Sequence, residues 1–261
     1  MKNSFFRRAL ICCLALFTVT AALSACDGEK GSVSSDDSAK KADFTSIAGT
    51  WLETESDNIM GMSVDKNGTY TVILSSGALE RGTIKIESEE HPDGTSNDNF
   101  SFYDENGDFW AGFPCEADYA KNPPAELWSG QDGAMHFERV EGTDTPAADE
   151  YVGSWASGRC SVDIVRKKDL YQVSIYWSGS ASEYSQWVYS CTYDEKTAAL
   201  VCDGKAIKTD HTFTENGKEK KKTVYKDGSG SFQLRQGILT WTDNKENAGN
   251  ETMFLRDQVT E

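Results

Sequence analysis

The sequence predicts an all-β protein made of two tandem small antiparallel meander β-barrels, about eight strands each, and three observations predict it. A short phrase occurs twice: Ile47-Ala48-Gly49-Thr50-Trp51 and, 104 residues later, Tyr151-Val152-Gly153-Ser154-Trp155 both read apolar pair, Gly, small hydroxyl residue, Trp. Each copy opens a run of short apolar/polar alternations, and each run closes on Phe-x-Arg, at Phe137-Glu138-Arg139 and Phe254-Leu255-Arg256. Finally, five prolines, 22 glycines and many Thr, Val, Tyr and Trp residues favour sheet over helix.

The pairing has a physical logic. Gly49 and Gly153 let the backbone pass close at a first strand while Trp51 and Trp155 plug one end of a closing sheet. Arg139 and Arg256, on the last strand of each run, can then lie across those indoles, a cation–π contact worth roughly 0.5–2 kcal/mol. An N-terminal Gly-x-Trp answered by an Arg on the closing strand resembles the lipocalin-like (calycin) barrels.

The chain before the first module reads as targeting sequence. Lys2, Arg7 and Arg8 precede an apolar run from Ala9 to Leu23, too short for a stable membrane span. The end of that run, Leu23-Ser24-Ala25-Cys26, resembles the lipobox of bacterial lipoproteins. The resemblance implies a signal peptide over 1–25, removed by cleavage, and a diacylglycerol on the Cys26 thiol, with further acylation such as palmitate. Each buried methylene contributes about 0.8 kcal/mol of anchoring. The expected location is the cell membrane, lipid-anchored and facing outside the cytoplasm. Asp27 is a retention signal only in bacteria with two membranes. Residues 26–43 hold the lipidated Cys and a polar, charged tether, with Ser34-Ser35-Asp36-Asp37-Ser38, that cannot bury a core.

Charge excludes some partners. The chain carries a formal −16; loss of a leader contributing three positive charges leaves −19, which disfavours nucleic acid and anionic lipid headgroups.

The first module spans 44–141. Ile59 to Val64 and Thr69 to Leu74 flank Asp65-Lys66-Asn67-Gly68, a hairpin signal because Asn-Gly accepts positive φ. Ile84 and Ile86 alternate, and Phe100 to Tyr103 joins Phe109 to Ala111 through Asp104-Glu105-Asn106-Gly107-Asp108. Asp104, Asn106 and Asp108 alternate as in a calcium loop, but Phe109 stands where Gly is needed and no bidentate Glu follows, so a plain β-turn is expected. Cys115 to Ala125 is an irregular connection, after which Leu127-Trp128 and Ala134 to Val140 close the sheet.

A linker at 142–149 leads to the second module, 150–258. Its strands are Cys160 to Val165, Tyr171 to Trp177, Trp187 to Tyr193, Ala198 to Cys202, Ser231 to Leu234, Ile238 to Thr242 and Met253 to Arg256. Lys218 to Lys222 reads as a solvated hairpin tip, and Asp227-Gly228-Ser229-Gly230 as a turn. The order Gly153-Ser154-Trp155, Trp177-Ser178-Gly179, Trp187, Tyr225 to Phe232 and Leu239 to Asp243 is similar to tandem lipocalin-like domains of exported proteins from anaerobic gut bacteria. That similarity implies architecture and brings no catalytic residues.

Of seven cysteines, Cys12 and Cys13 leave with the leader and Cys26 is acylated. Export makes disulfides permissible for the rest. Strands around Glu195-Lys196-Thr197 place Tyr193 opposite Leu200 and Cys191 opposite Cys202, so a Cys191–Cys202 bridge is expected, with Cys160 paired to either as the alternative. Cys115 is left over in the other module.

Catalytic patterns are missing. His91, His136 and His211 are scattered and no His-Glu-x-x-His occurs; Gly179-Ser180-Ala181-Ser182-Glu183 fails the nucleophile elbow at its last position; no phosphate-binding Gly-rich loop or Cys-x-x-Cys is present. A non-enzyme with no cofactor and no metal is expected. Trp177, Trp187, Tyr189 and Trp241 fall on neighbouring strands and form a candidate cup for a small apolar or sugar-like molecule; the same residues equally suit a packed core. Asp243 and Glu246 sit where a rim cation or an ordinary acidic hairpin tip would place them. The expectation is therefore a membrane-anchored, non-catalytic binder of a small molecule, or in the alternative a module that contacts or inhibits another envelope protein.

Overall fold

A computed structural model describes residues 43–116, 118–129, 135–250 and 252–257. The segment expected to be a signal peptide, Cys26 and nearly all of the expected tether lie outside the described residues. The described chain is all-β, with sixteen strands in two antiparallel eight-stranded sheets.

The first sheet is a meander of β1 (Gly49–Glu53), β2 (Ile59–Val64), β3 (Thr69–Leu74), β4 (Leu79–Glu90), β5 (Ser96–Asp104) and β6 (Phe109–Cys115). The chain then crosses to β7 (Glu126–Ser129) and β8 (Met135–Val140), and β8 pairs with β1. The sheet is thus rolled but ends on β6 and β7, which share no ladder. Pro114 in β6 and Pro123-Pro124 just before β7 carry no N–H to donate, which suits two edges. The expected turns form: Gly68 N–H donates to Asp65 O at 3.0 Å and Gly107 N–H to Asp104 O at 3.0 Å. Asp104 caps its own turn by accepting from the Asn106 and Asp108 amides at 2.9 Å each, so this loop is the plain turn.

A 3-10 turn at Ala148–Tyr151 enters the second sheet: β9 (Gly153–Ser157), β10 (Cys160–Lys167), β11 (Leu170–Ser180), β12 (Glu183–Asp194), β13 (Ala199–Phe213), β14 (Glu219–Arg235), β15 (Ile238–Asp243) and β16 (Met253–Arg256). It closes into a barrel when β16 pairs with β9. Two expectations are corrected here. Most of the Lys218 to Lys222 run and all of Asp227-Gly228-Ser229-Gly230 lie within the 17-residue strand β14, not at a tip and a turn. The glycines serve packing: a Cβ at Gly228 would stand 2.5 Å from Tyr225 Cε2, and one at Gly230 would stand 2.5 Å from Thr242 O and 3.0 Å from Tyr189 Cε1.

The repeated phrase has one structural meaning in both modules. Trp51 lies opposite Arg139 and Trp155 opposite Arg256 in the ladders. The guanidinium carbons sit 4.2 and 4.4 Å from the ring centroids. Each indole N–H donates four residues back, to Ile47 O at 2.9 Å and to Tyr151 O at 3.0 Å. Gly49 and Gly153 take φ of +136° and +138°, a left-handed backbone that favours glycine. Their missing side chains also leave room for the arginine, since Cβ atoms would fall 3.2 Å from Arg139 Nη1 and 2.4 Å from Arg256 Nη1.

The modules keep separate cores. Trp51, Phe100, Phe102, Phe113 and Phe137 fill the first; Trp155, Tyr189, Phe232, Trp241 and Phe254 fill the second. A third, smaller cluster joins their outer faces, with buried Ile73 of the first module against Ile238 and Leu255 of the second, flanked by Leu52, Met60, Leu79 and Met253.

Candidate functional site

The aromatic residues nominated as a cup are the middle of the second barrel's core. Trp187, Tyr189 and Trp241 are 3%, 0% and 1% exposed, and only Trp177 is partly open, packed on the cluster's margin. Alternation places Trp187 and Tyr189 of β12 inward, and register shifts in the β13–β14 ladder between Tyr225 and Gly230 bring both Tyr225 and Phe232 inward. With Trp241 of β15 the rings meet edge to face: Trp187–Trp241 centroids are 5.2 Å apart at 72° and Tyr189–Phe232 5.3 Å at 84°. Such contacts contribute roughly 0.5–1.5 kcal/mol beyond area burial.

Their polar ends are mutually satisfied. Trp187 Nε1 donates to Tyr225 Oη at 3.1 Å and Trp241 Nε1 to Tyr189 Oη at 3.2 Å. Both phenols in turn donate to Oδ1 of the fully buried Asp243, at 3.2 Å from Tyr189 and 3.3 Å from Tyr225. Asp243 also accepts from the amides of Lys245 at 3.3 Å and Glu246 at 3.0 Å, so it fixes a turn from inside. Burial, and after it the Asp243 charge, raises both phenol pKa values, keeping them as donors. The carboxylate pair named as a possible cation rim is therefore split: Asp243 holds the tyrosines, whereas Glu246 pairs with Lys208, whose ammonium lies 4.9 Å over the Trp187 ring. Among the described residues no group of three metal-ligating side chains forms.

The cysteines require a correction. Tyr193 does face Leu200, as the register demanded, yet the Cys191–Cys202 bridge is not formed; Cys115, Cys160, Cys191 and Cys202 are all free thiols. The ladder changes register between Val188–Ile207 and Thr192–Val201, where three residues of β12 face five of β13, so Cys191 and Cys202 both fall at the edge of an irregular stretch whose extra residues lie on β13. Both sulfurs remain buried neighbours, and the Cys191 thiol, hydrogen-bonded to Cys202 and desolvated, is held well above its ordinary pKa. Burial pushes Cys160 up to about 12.

Two buried histidines form small polar groups. His136 stacks on Trp128 with centroids 3.6 Å apart, meets Thr54 Oγ1 at 2.7 Å through Nδ1 and Glu126 at 3.3 Å through Nε2. Thr54 Oγ1 lies 3.2 Å from His136 O as well, so the three form a strand-end clasp. His211 stacks on Tyr184 at 4.2 Å and meets Glu219 at 2.7 Å.

A concave feature lies on the first module's outer face. A trough of about 850 Å³ is bounded by Glu87 and Glu89 of β4, floored by Asn99 and Ser101 of β5 and Gly112 of β6, and walled by Phe109. Phe109 is 57% exposed, an unusual state for a phenyl ring at a strand end. Tyr103 Oη donates to Glu87 Oε2 at 2.7 Å; this bond first, with nearby Ser101 and the Lys85 charge adding to it, holds the Glu87 carboxyl below the usual range. Sequence reading passed over this group, because every member sits on what looks like a plain solvent face.

No protein-family model, no curated protein and no solved structure matches the chain. The fold and site define the class this far: an all-β protein with two eight-stranded antiparallel sheets in tandem, the second a closed barrel.

Proposed function

We propose that this chain is a lipocalin-like, membrane-anchored lipoprotein that works outside the cytoplasm, is not an enzyme, and binds another envelope protein through the outer faces of its modules. The observation that carries the outer-face reading is the state of Trp187, Tyr189 and Trp241. They are at most 3% exposed, packed on one another and bonded through Tyr225 to Asp243, so a small molecule entering the second barrel would have to break a closed network of hydrogen bonds. An unsatisfied buried donor or acceptor costs about 1–3 kcal/mol. The joined apolar faces around Ile73 and Leu255 support the same reading, because they turn two modules into one binding body. The anchor rests on Leu23-Ser24-Ala25-Cys26 after a basic and apolar leader.

Native mass spectrometry of the protein purified from its own host tests the binding mode. A retained polypeptide and no retained small molecule is the expected result; a stoichiometric small molecule lost on Trp241→Ala overturns it. Labelling with radioactive palmitate, abolished in Cys26→Ala, tests the anchor separately.

A further inference from the structure

We propose that the trough on β4, β5 and β6 docks an extended peptide of about six residues bearing Lys or Arg. The proposal rests on the outer-face reading above and names the partner's chemistry.

Three features converge on it. The first is shape. Cross-strand pairs put Glu87 beside Asn99, and Ser101 beside Gly112, on the outward face, with Glu89 beside Asn97 at one end and Tyr103 beside Phe109 at the other. Asn97 to Tyr103 is seven residues, six steps of about 3.3 Å or roughly 20 Å, the length of a short extended chain. The floor is low because its side chains are small. A Cβ at Gly112 would touch only the Phe109 ring, at 3.5 and 3.9 Å, so glycine here keeps space open and relieves no backbone strain.

The second feature is charge. The first module, 44–141, holds 19 acidic residues against five Lys and Arg, whereas the second, 150–258, holds 15 of each. The described Lys and Arg ion pairs all lie in the second module and its linker; the first has His136–Glu126 alone. At the trough Lys85, paired with Ser101 and lying 4.3 Å over the Tyr103 ring, offsets Glu87 in part, while Glu89 has no partner among the described ion pairs; a cationic partner supplies the remainder. The net charge of the whole protein hides this division.

The third feature is preorganisation. Glu87 is not a free surface carboxylate: Tyr103 donates to it at 2.7 Å, and Tyr103 is itself placed between Lys85, 4.3 Å over its ring, and Phe109, edge to face at 5.9 Å. An ammonium or guanidinium meeting Glu87 and Glu89 at one end leaves an apolar or aromatic residue of the same peptide to lie on Phe109 at the other. Exposed ion pairs contribute little singly, so the phenyl contact and the fixed carboxylate supply the selectivity.

Fluorescence anisotropy with the full chain and fluorescein-labelled hexalysine, with hexaglutamate as control, tests the site. Hexalysine is expected to saturate and to weaken with added salt; hexaglutamate is expected not to bind. Glu87→Gln with Glu89→Gln is expected to weaken hexalysine about fivefold, while Glu55→Gln with Glu138→Gln, which removes equal charge elsewhere on the module, changes it less than twofold. Gly112→Leu, which fills the floor without altering charge, is expected to weaken binding of a Lys-Phe-Lys-Phe-Lys-Phe peptide at least fivefold. Unsaturable binding, equal losses in the two charge variants, or indifference to Gly112→Leu overturns the trough. The outer-face reading fails by a different result, the retained small molecule in native mass spectrometry, so the two failures are told apart.

Discussion

Replacing the closing arginine of each module by Met separates two structures that share one sequence phrase. Arg139 donates Nε to Pro124 O at 2.8 Å, Nη1 to Ala48 O at 2.8 Å and Nη2 to Ser46 O at 2.6 Å. Arg256 makes two such bonds, Nη1 to Val152 O at 3.0 Å and Nη2 to Glu150 O at 2.6 Å. Arg139 is also more enclosed, and desolvation lowers its guanidinium pKa, whereas Arg256 is solvent-exposed. A bond to a charged donor contributes about 1.5–3 kcal/mol when buried, and carbonyls that can turn to water recover part of that. Discounting for partial exposure, Arg139→Met should cost about 3 kcal/mol and Arg256→Met about 1 kcal/mol. Met retains much of the apolar contact with the indole, so the difference reports the carbonyls. Urea unfolding followed by tryptophan fluorescence reads it directly: with a slope of about 2 kcal/mol per molar, the Arg139→Met midpoint falls by about 1.5 M and the Arg256→Met midpoint by about 0.5 M. Arg139→Lys keeps the charge over Trp51 but cannot span three carbonyls, and should recover less than half of the loss. Equal costs for the two Met variants, or a larger cost at Arg256, would refute the reasoning. It would mean that the third bond, to Pro124 in the β6–β7 connection, does not hold the open side of the first module.

Gly249→Ala should unfold the second module at ambient temperature or cost several kcal/mol, because φ is +146° and the new Cβ would lie 2.2 Å from Trp241 Cε3, a rigid ring bonded to Tyr189; thermal denaturation by circular dichroism measures it. Ile73→Ala should cost about 2–4 kcal/mol and split one unfolding transition into two, visible by calorimetry, since Ile73 is fully buried against Ile238 and Leu255 of the other module. Among Cys115, Cys160, Cys191 and Cys202, Cys115 should react first with a thiol reagent under native conditions, and Cys115→Ser should remove that fast phase, because the other three are 2% exposed or less. The Glu219 carboxyl is held below its ordinary range by His211, then Lys221; a lowered acid contributes stability above its unfolded pKa that disappears as pH falls through the folded one. Acid unfolding below about pH 4.5 should therefore be blunted in Glu219→Gln relative to the parent when followed by tryptophan fluorescence.

What could be read from the letters divides along a physical line. The Gly-x-Trp and Phe-x-Arg phrase is local chemistry: a backbone needing positive φ, an indole and a guanidinium facing it, written twice at one spacing. Its meaning survives any detail of the intervening strands. Register is a weaker signal, because it is a sum over a whole ladder and one extra residue resets it. Tyr193 opposite Leu200 came out of the turn at Glu195-Lys196-Thr197, yet the slip between Val188 and Thr192 begins two residues later and takes Cys191 with it. The extra residues lie on β13, where Asp203-Gly204, with Gly204 at φ +65°, marks the irregularity from the partner strand.

Glycine was ambiguous for the same reason. Gly68 and Gly107 sit at φ of +83° in turns, where the letter and the backbone agree. Gly228 and Gly230 stand in mid-strand because Tyr225, Ala206 and Tyr189 crowd them, which no sequence window can show when the crowding residues are up to 41 positions away. The trough lies beyond both kinds of signal. Glu87, Asn99, Ser101 and Gly112 are each unremarkable on a solvent face, and only pairing across β4, β5 and β6 sets them in one line. Such a site is defined by what its side chains leave empty, and sequence records only what is present. Its one legible trace was Phe109, which occupies the position after Asn106-Gly107-Asp108 where turn chemistry favours a polar residue and which is 57% exposed. A lone exposed apolar residue is ordinary, and Phe109 has Tyr103 as an edge-to-face neighbour at 5.9 Å; it gains meaning only from the trough that strand pairing sets beside it.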